Sequence, residues 1–181
     1  MTRFVRLVVG VLLVAPVLAT ATTLLALDLP ALTRASGTVV RGRVVSTQAR
    51  WTADHSRIIT DTTLEVAETL KGAPAKTVVV MQPGGEVGDV GQHVEGVARF
   101  QKDEEVVVFL EARGTERFTL SGMAQGRFKV ERAADGTVRA RQDQCADLYL
   151  VDRQSRQPTS LAPLDLPLDD LKRRIAASEQ P

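Results

Sequence analysis

A mainly β fold, a small antiparallel barrel with a short helix ahead of it and an amphipathic helix behind, is what this sequence predicts. Three observations carry the reading. Thr38 to Gln48 is rich in β-branched residues, and Ile58 to Leu70 alternates, with Ile58, Thr60, Thr62, Leu64 and Val66 on one face. A polar loop joins the two stretches, so they form one extended hairpin that ends at Lys71-Gly72. Shorter apolar runs then recur between turn residues as far as Arg141.

The chain opens Met1-Thr2-Arg3-Phe4-Val5-Arg6, continues with an apolar run from Leu7 to Leu18, and reaches Ala19-Thr20-Ala21. A positive end, an apolar middle and small residues before the cut make residues 1–21 a secretory signal, cleaved after Ala21. The alternative is a retained anchor, because Leu24, Leu25 and Leu27 extend the apolar content to the ~20 residues a spanning helix needs. Removing the signal takes Arg3 and Arg6 from the 23 basic residues, and 21 against 22 acidic residues leaves a formal charge of −1. A near-neutral chain with mixed charges has no electrostatic footprint for nucleic acid. The single cysteine, Cys145, can close no internal disulfide, and its acidic neighbours Asp143 and Asp147 disfavour a thiolate, so it reads as a structural thiol. An exported domain without disulfides points to a bacterial envelope or secreted protein, periplasmic or extracellular.

After the signal, Asp28 caps a short helix that carries Pro30 in its first turn and Gly37 just past its end, with Leu29, Leu32 and Ala35 facing the barrel. The two long strands exceed the usual length and must bend, with Gly42 the candidate kink. Thr77 to Met81, Glu105 to Leu110, Arg117 to Leu120, Gly126 to Glu131 and Thr137 to Arg141 supply the shorter strands. Pro83 to Gln92, rich in glycine, reads as a long surface loop crossing the barrel mouth. The tail closes on Leu168, Leu171 and Ile175 at helical spacing, with acids early and bases late. The organisation is thus a signal over 1–21, a barrel over 22–132 and a C-terminal extension over 133–181. Five or six short strands with a coiled first hairpin best fit a closed barrel of the OB type, with a β-sandwich as the alternative.

The chemistry is thinly marked. Two histidines, His55 and His93, lie in predicted loops, and His93 could act as a base only if Glu86, Asp89 or Glu95 converged on it. No pair of His or Cys has zinc-site spacing, so neither metal nor cofactor is expected. Gly84-Gly85 with Gly88 and Gly91 lacks the following helix and the Lys-Ser/Thr pair of a phosphate loop. Arg50-Trp51 pairs two residue types enriched at interface hot spots, although a lone tryptophan can equally cap the barrel core. The remaining aromatics are scattered and build no base-stacking platform.

Val40-x-Gly42-x-Val44-Val45-Ser46, the strand ending Leu70-Lys71-Gly72, Gly84-Gly85, the run Val106 to Leu110 and Gly122-x-x-x-Gly126-x-Phe128 together resemble a group of uncharacterised exported bacterial proteins. Over residues 28–132 the same pattern is similar to the OB barrel of tissue inhibitors of metalloproteinases and their netrin-like relatives. That resemblance implies a secreted protein-interaction module. The inhibitors act through a cysteine at the mature N-terminus, and no cysteine stands there in this chain, so no inhibitory residue carries over. The expectation is an exported, non-enzymatic module that binds another protein, a protease among the candidates, through Arg50, Trp51, Gly84 and Gly85, with the Arg113 to Glu116 loop on the same face. The alternative is a small hydrolase built on His93 and a nearby carboxylate.

Overall fold

The computed structural model describes residues 23–74, 76–114, 116–144 and 148–178. The expected signal over residues 1–21 and Cys145 lie outside the described residues. The chain is mainly β. Strand β1 (Leu24–Leu25) comes first, followed by helix α1 (Leu29–Ala35). Asp28 caps that helix by accepting a hydrogen bond from the Ala31 amide at 2.8 Å, and Pro30 occupies its first turn. The buried side is Leu29, Leu32 and Thr33, whereas Ala35 is exposed, contrary to expectation. Thr33 lies one turn beyond Leu29 and so takes the place in the stripe, its hydroxyl satisfied by the Leu29 carbonyl at 2.8 Å.

Strands β2 (Thr38–Trp51) and β3 (Ile58–Lys71) form the long hairpin, pairing from Val39↔Lys71 to Trp51↔Ile58. Three register shifts interrupt it, at Val39/Val40, Arg41/Gly42 and Val44/Ser46, and each tightens the local twist. Gly42 is needed for close approach, because a Cβ there would sit 2.6 Å from the Glu65 carbonyl oxygen. Next come β4 (Thr77–Pro83), β5 (Gly85–Val87), β6 (Val90–Gln92), β7 (Glu105–Ala112), β8 (Arg117–Leu120), a 3-10 turn (Met123–Gly126) and β9 (Arg127–Arg132). The glycine-rich stretch is therefore no open loop: β5 and β6 pair as a hairpin about Gly88-Asp89.

Beyond the expected β10 (Val138–Arg141), the tail adds β11 (Leu150–Val151), β12 (Pro158–Thr159) and β13 (Asp165–Pro167) before helix α2 (Leu168–Ala177). The main sheet has the order β13-β10-β9-β7-β2-β3-β4-β8. β8 bonds on one side to β4, in parallel through Val79↔Arg117 and Val80↔Phe118, and on the other to β7, antiparallel through Leu110↔Leu120.

Alternation along β7 feeds two cores on opposite faces. Val107 and Phe109 join Leu32, Phe128, Leu171 and Ile175 beneath the two helices. Val106, Val108 and Leu110 join Val44, Leu64 and Val80 on the other side. Covered on both faces, β7 is buried without a break from Val106 to Leu110, which explains its unalternating apolar sequence. Among the described residues no helix is long and apolar enough to cross a membrane.

Candidate functional site

The tip of the long hairpin is a built turn. Asp54 accepts from the Thr52 hydroxyl at 2.5 Å, the Ser56 hydroxyl at 2.8 Å and the Ser56 amide at 3.2 Å. These bonds, Thr52's first, hold its carboxyl down to about 2. His55 takes a positive φ of 54° there, and its ring stacks on Trp51 with centroids 6.2 Å apart. Trp51 is half-buried and stands among the residues of neither core. Arg50 is exposed and donates from Nε to Asp61 at 2.9 Å, and Arg117 reaches the same oxygen at 3.2 Å.

Gly84 and Gly85 lie against this same end. The Gly84 amide donates to the Ile58 carbonyl at 2.9 Å, and Ile58 is the cross-strand partner of Trp51. Trp51, Ile58 and Gly84 therefore form a row across β2, β3 and the residue that follows β4. Thr60 donates from Oγ1 to the Gly84 carbonyl at 2.7 Å. Both glycines have positive φ, and a Cβ on Gly85 would stand 2.4 Å from Thr60 Oγ1 and 2.8 Å from Ala49 Cβ. The Glu116 carbonyl accepts from Val79, towards the Thr77 end of β4, whereas Gly84 follows its Pro83 end.

Two clefts, each of about 600 Å³, flank the irregular segment 93–100. The first is floored by Thr60, Thr62 and Gln82 and walled by Val94, Val97 and Phe100, with Glu86, His93 and Arg99 at its edge. Thr62 is fully buried, and its hydroxyl has no hydrogen-bond partner among the described residues. The second holds Arg127, 2% exposed, which donates to Glu104 at 2.7 Å and Asp143 at 2.6 Å. His93 borders both clefts, and its Nε2 lies 2.9 Å from Glu95 Oε1. Of the three carboxylates named from sequence, Glu95 is the one that meets it, and both side chains are largely exposed. Among the described residues no three His, Cys, Asp or Glu side chains converge as metal ligands.

No known protein family matches the chain, and a search of curated proteins finds no match for it. Sequence reasoning brought out Arg50, Trp51, Gly84 and Gly85, and the fold brings the two pairs together at one end of the hairpin. It passed over Thr62, Gln82 and Arg127. The first had a visible signal: two threonines, Thr60 and Thr62, interrupt an otherwise apolar face between Ile58 and Leu64. Arg127 had none, because its partners stand 23 and 16 residues away and meet it only through the sheet.

Proposed function

We propose that the chain is an exported, non-enzymatic module of the OB type that binds another protein. The pairing of β8 with both β4 and β7 supports the barrel, since it joins β2, β3, β4, β8 and β7 in one cycle of neighbours with a parallel contact where the first half meets the second. Arg3, Arg6 and the apolar run from Leu7 to Leu18 support export.

The observation that carries the binding reading is the row Trp51–Ile58–Gly84. It sets an aromatic stack, a salt-bridged arginine and a glycine-locked hairpin side by side at one end of a rigid sheet. Trp and Arg anchors presented by a fixed scaffold are the usual makings of a hot spot. The test is affinity capture of the mature chain, Thr22 to Pro181, from envelope and culture fractions, beside Trp51→Ala. One stoichiometric partner held by the parent and lost by the variant is expected, and a protease in that position would link the module to the inhibitor resemblance. Recovery no better than an unrelated barrel, or equal recovery by both forms, overturns the reading.

A second reading, a small hydrolase, rests on the His93–Glu95 contact at 2.9 Å. Its test is His93→Ala against a panel of ester and amide substrates: loss of turnover favours it, and unchanged partner capture favours the binding module.

A further inference from the structure

The face of β3 that points into the second core is apolar at Leu64 and Ile58, both fully buried, yet carries Thr62 between them, also fully buried. A hydroxyl enclosed without a partner destabilises the native state, so a fold that keeps one at the floor of a cleft is arranged for something that enters the cleft. The neighbouring groups share its chemistry. Thr60 already donates to the Gly84 carbonyl and so faces the cleft as an acceptor. Gln82 is 6% exposed, and it lines the same cleft.

We propose that this cleft binds a neutral saccharide of one or two rings. The floor offers hydroxyls and a carboxamide and no charge, while the ionisable side chains Glu86, His93 and Arg99 are exposed at the edge. A carboxylate or ammonium seated on that floor would lose its hydration with no counter-ion, whereas a sugar hydroxyl donates and accepts as the floor does. Across the cleft, Val94, Val97 and Phe100 give an apolar surface for the C–H face of a ring. Phe100 is backed from the second cleft by the Arg127 guanidinium, 5.5 Å from the ring centroid, so the wall is braced. The volume of about 600 Å³ falls within the range of small-ligand pockets. The cleft adjoins the proposed protein-binding row and shares Gly84 and Gly85 with it, while Thr62 and Gln82 belong to the cleft alone.

The experiment is titration of the mature chain with N-acetylglucosamine and chitobiose, followed by amide-resolved NMR, with glucuronate as the charged control. Saturable shifts at Thr60, Thr62 and the Gln82 carboxamide are expected with the neutral sugars and not with glucuronate. Thr62→Val removes the hydroxyl at constant shape, should weaken binding about fivefold or more, and should raise the ligand-free Tm by about 2–4 °C. Thr62→Ser, which keeps the hydroxyl, should retain the same residue-specific shifts. The proposal is overturned if neutral sugars perturb nothing at tens of millimolar, if glucuronate binds as tightly, or if Thr62→Val binds unchanged. It is equally overturned if the valine variant loses stability, because the hydroxyl would then serve the fold itself. Partner capture by Thr62→Val reports separately on the protein-binding reading.

Discussion

The Arg127 guanidinium carbon lies 5.5 Å from the centroid of the Phe100 ring, and the two residues line different clefts, so this contact joins the two sides of the wall that segment 93–100 builds between them. The aromatic side faces a nearly neutral floor. The cationic side is locked by Glu104 and Asp143.

Arg127→Met keeps bulk against Phe100 and removes the charge, leaving Glu104, 8% exposed, without its partner. Stripping one member from a buried ion pair costs about 3–5 kcal/mol, and urea unfolding should record a loss of that size. Adding Glu104→Gln should restore part of it, since no uncompensated charge then remains. An identical loss in the double variant would place the effect in the packing on Phe100.

Gly85→Ala places a methyl group 2.4 Å from Thr60 Oγ1 at a φ of 130° that alanine avoids. A loss of about 1–3 kcal/mol is expected, together with faster amide exchange across the β5–β6 hairpin. Gly88→Asn is the control: its φ of 59° suits asparagine and nothing lies within 4 Å of the new Cβ. Equal losses at both positions would show that the close approach to Thr60 is not what the glycine serves.

Asp54 has its native carboxyl held at about 2, below the ordinary 3.8. Between those values the unfolded chain binds the extra proton, so stability contributed by this turn is present above about pH 4 and is lost as pH falls towards 2. The side chain is fully exposed, so the readout is local: the Asp54 carboxyl titration by NMR and Trp51 fluorescence should move together over that window. Asp54→Asn should abolish the coupled fluorescence change. A titration near 3.8 would mean that the Thr52 and Ser56 bonds do not persist in solution.

Leu171→Ala in α2 tests whether the C-terminal helix belongs to the fold. Leu171 is fully buried among Leu32, Phe109 and Phe128 beneath the sheet. Calorimetry should show a loss of about 2–5 kcal/mol in a single cooperative transition. A negligible loss, or a separate transition for the helix, would make it an appendage.

How much of this could be read in advance depended on how local the cause was. The long hairpin, α1 with its Asp28 cap, and α2 with Leu168, Leu171 and Ile175 were legible because alternation, capping and helical spacing act within a few residues. The β5–β6 hairpin was not, since its strands are three residues each and their glycines carry no alternation. β11, β12 and β13 escaped for the same reason of length, and the partners β1 of β11 and β10 of β13 lie far along the chain. At the candidate site, the types at Arg50 and Trp51 were a usable hint. Their meeting with Gly84 through Ile58, and the gathering of Arg127, Glu104 and Asp143, depend on sheet order, which no local pattern encodes.

The unbroken burial of β7 has a consequence for the chain before it folds. Val106 to Leu110 is a short, uncharged, β-branched run without proline, the kind of segment that seeds intermolecular aggregation when left uncovered. Acidic residues flank it, with Glu104 and Glu105 before and Glu111 after, and act as gatekeepers that repel a second copy. In the native protein all three are paired, Glu105 with Arg41, Glu104 with Arg127 and Glu111 with Arg113. The same carboxylates thus guard the segment in the nascent chain and neutralise basic side chains once the sheet has formed, so neutralising them removes a guard against aggregation and a native ion-pair partner in one step.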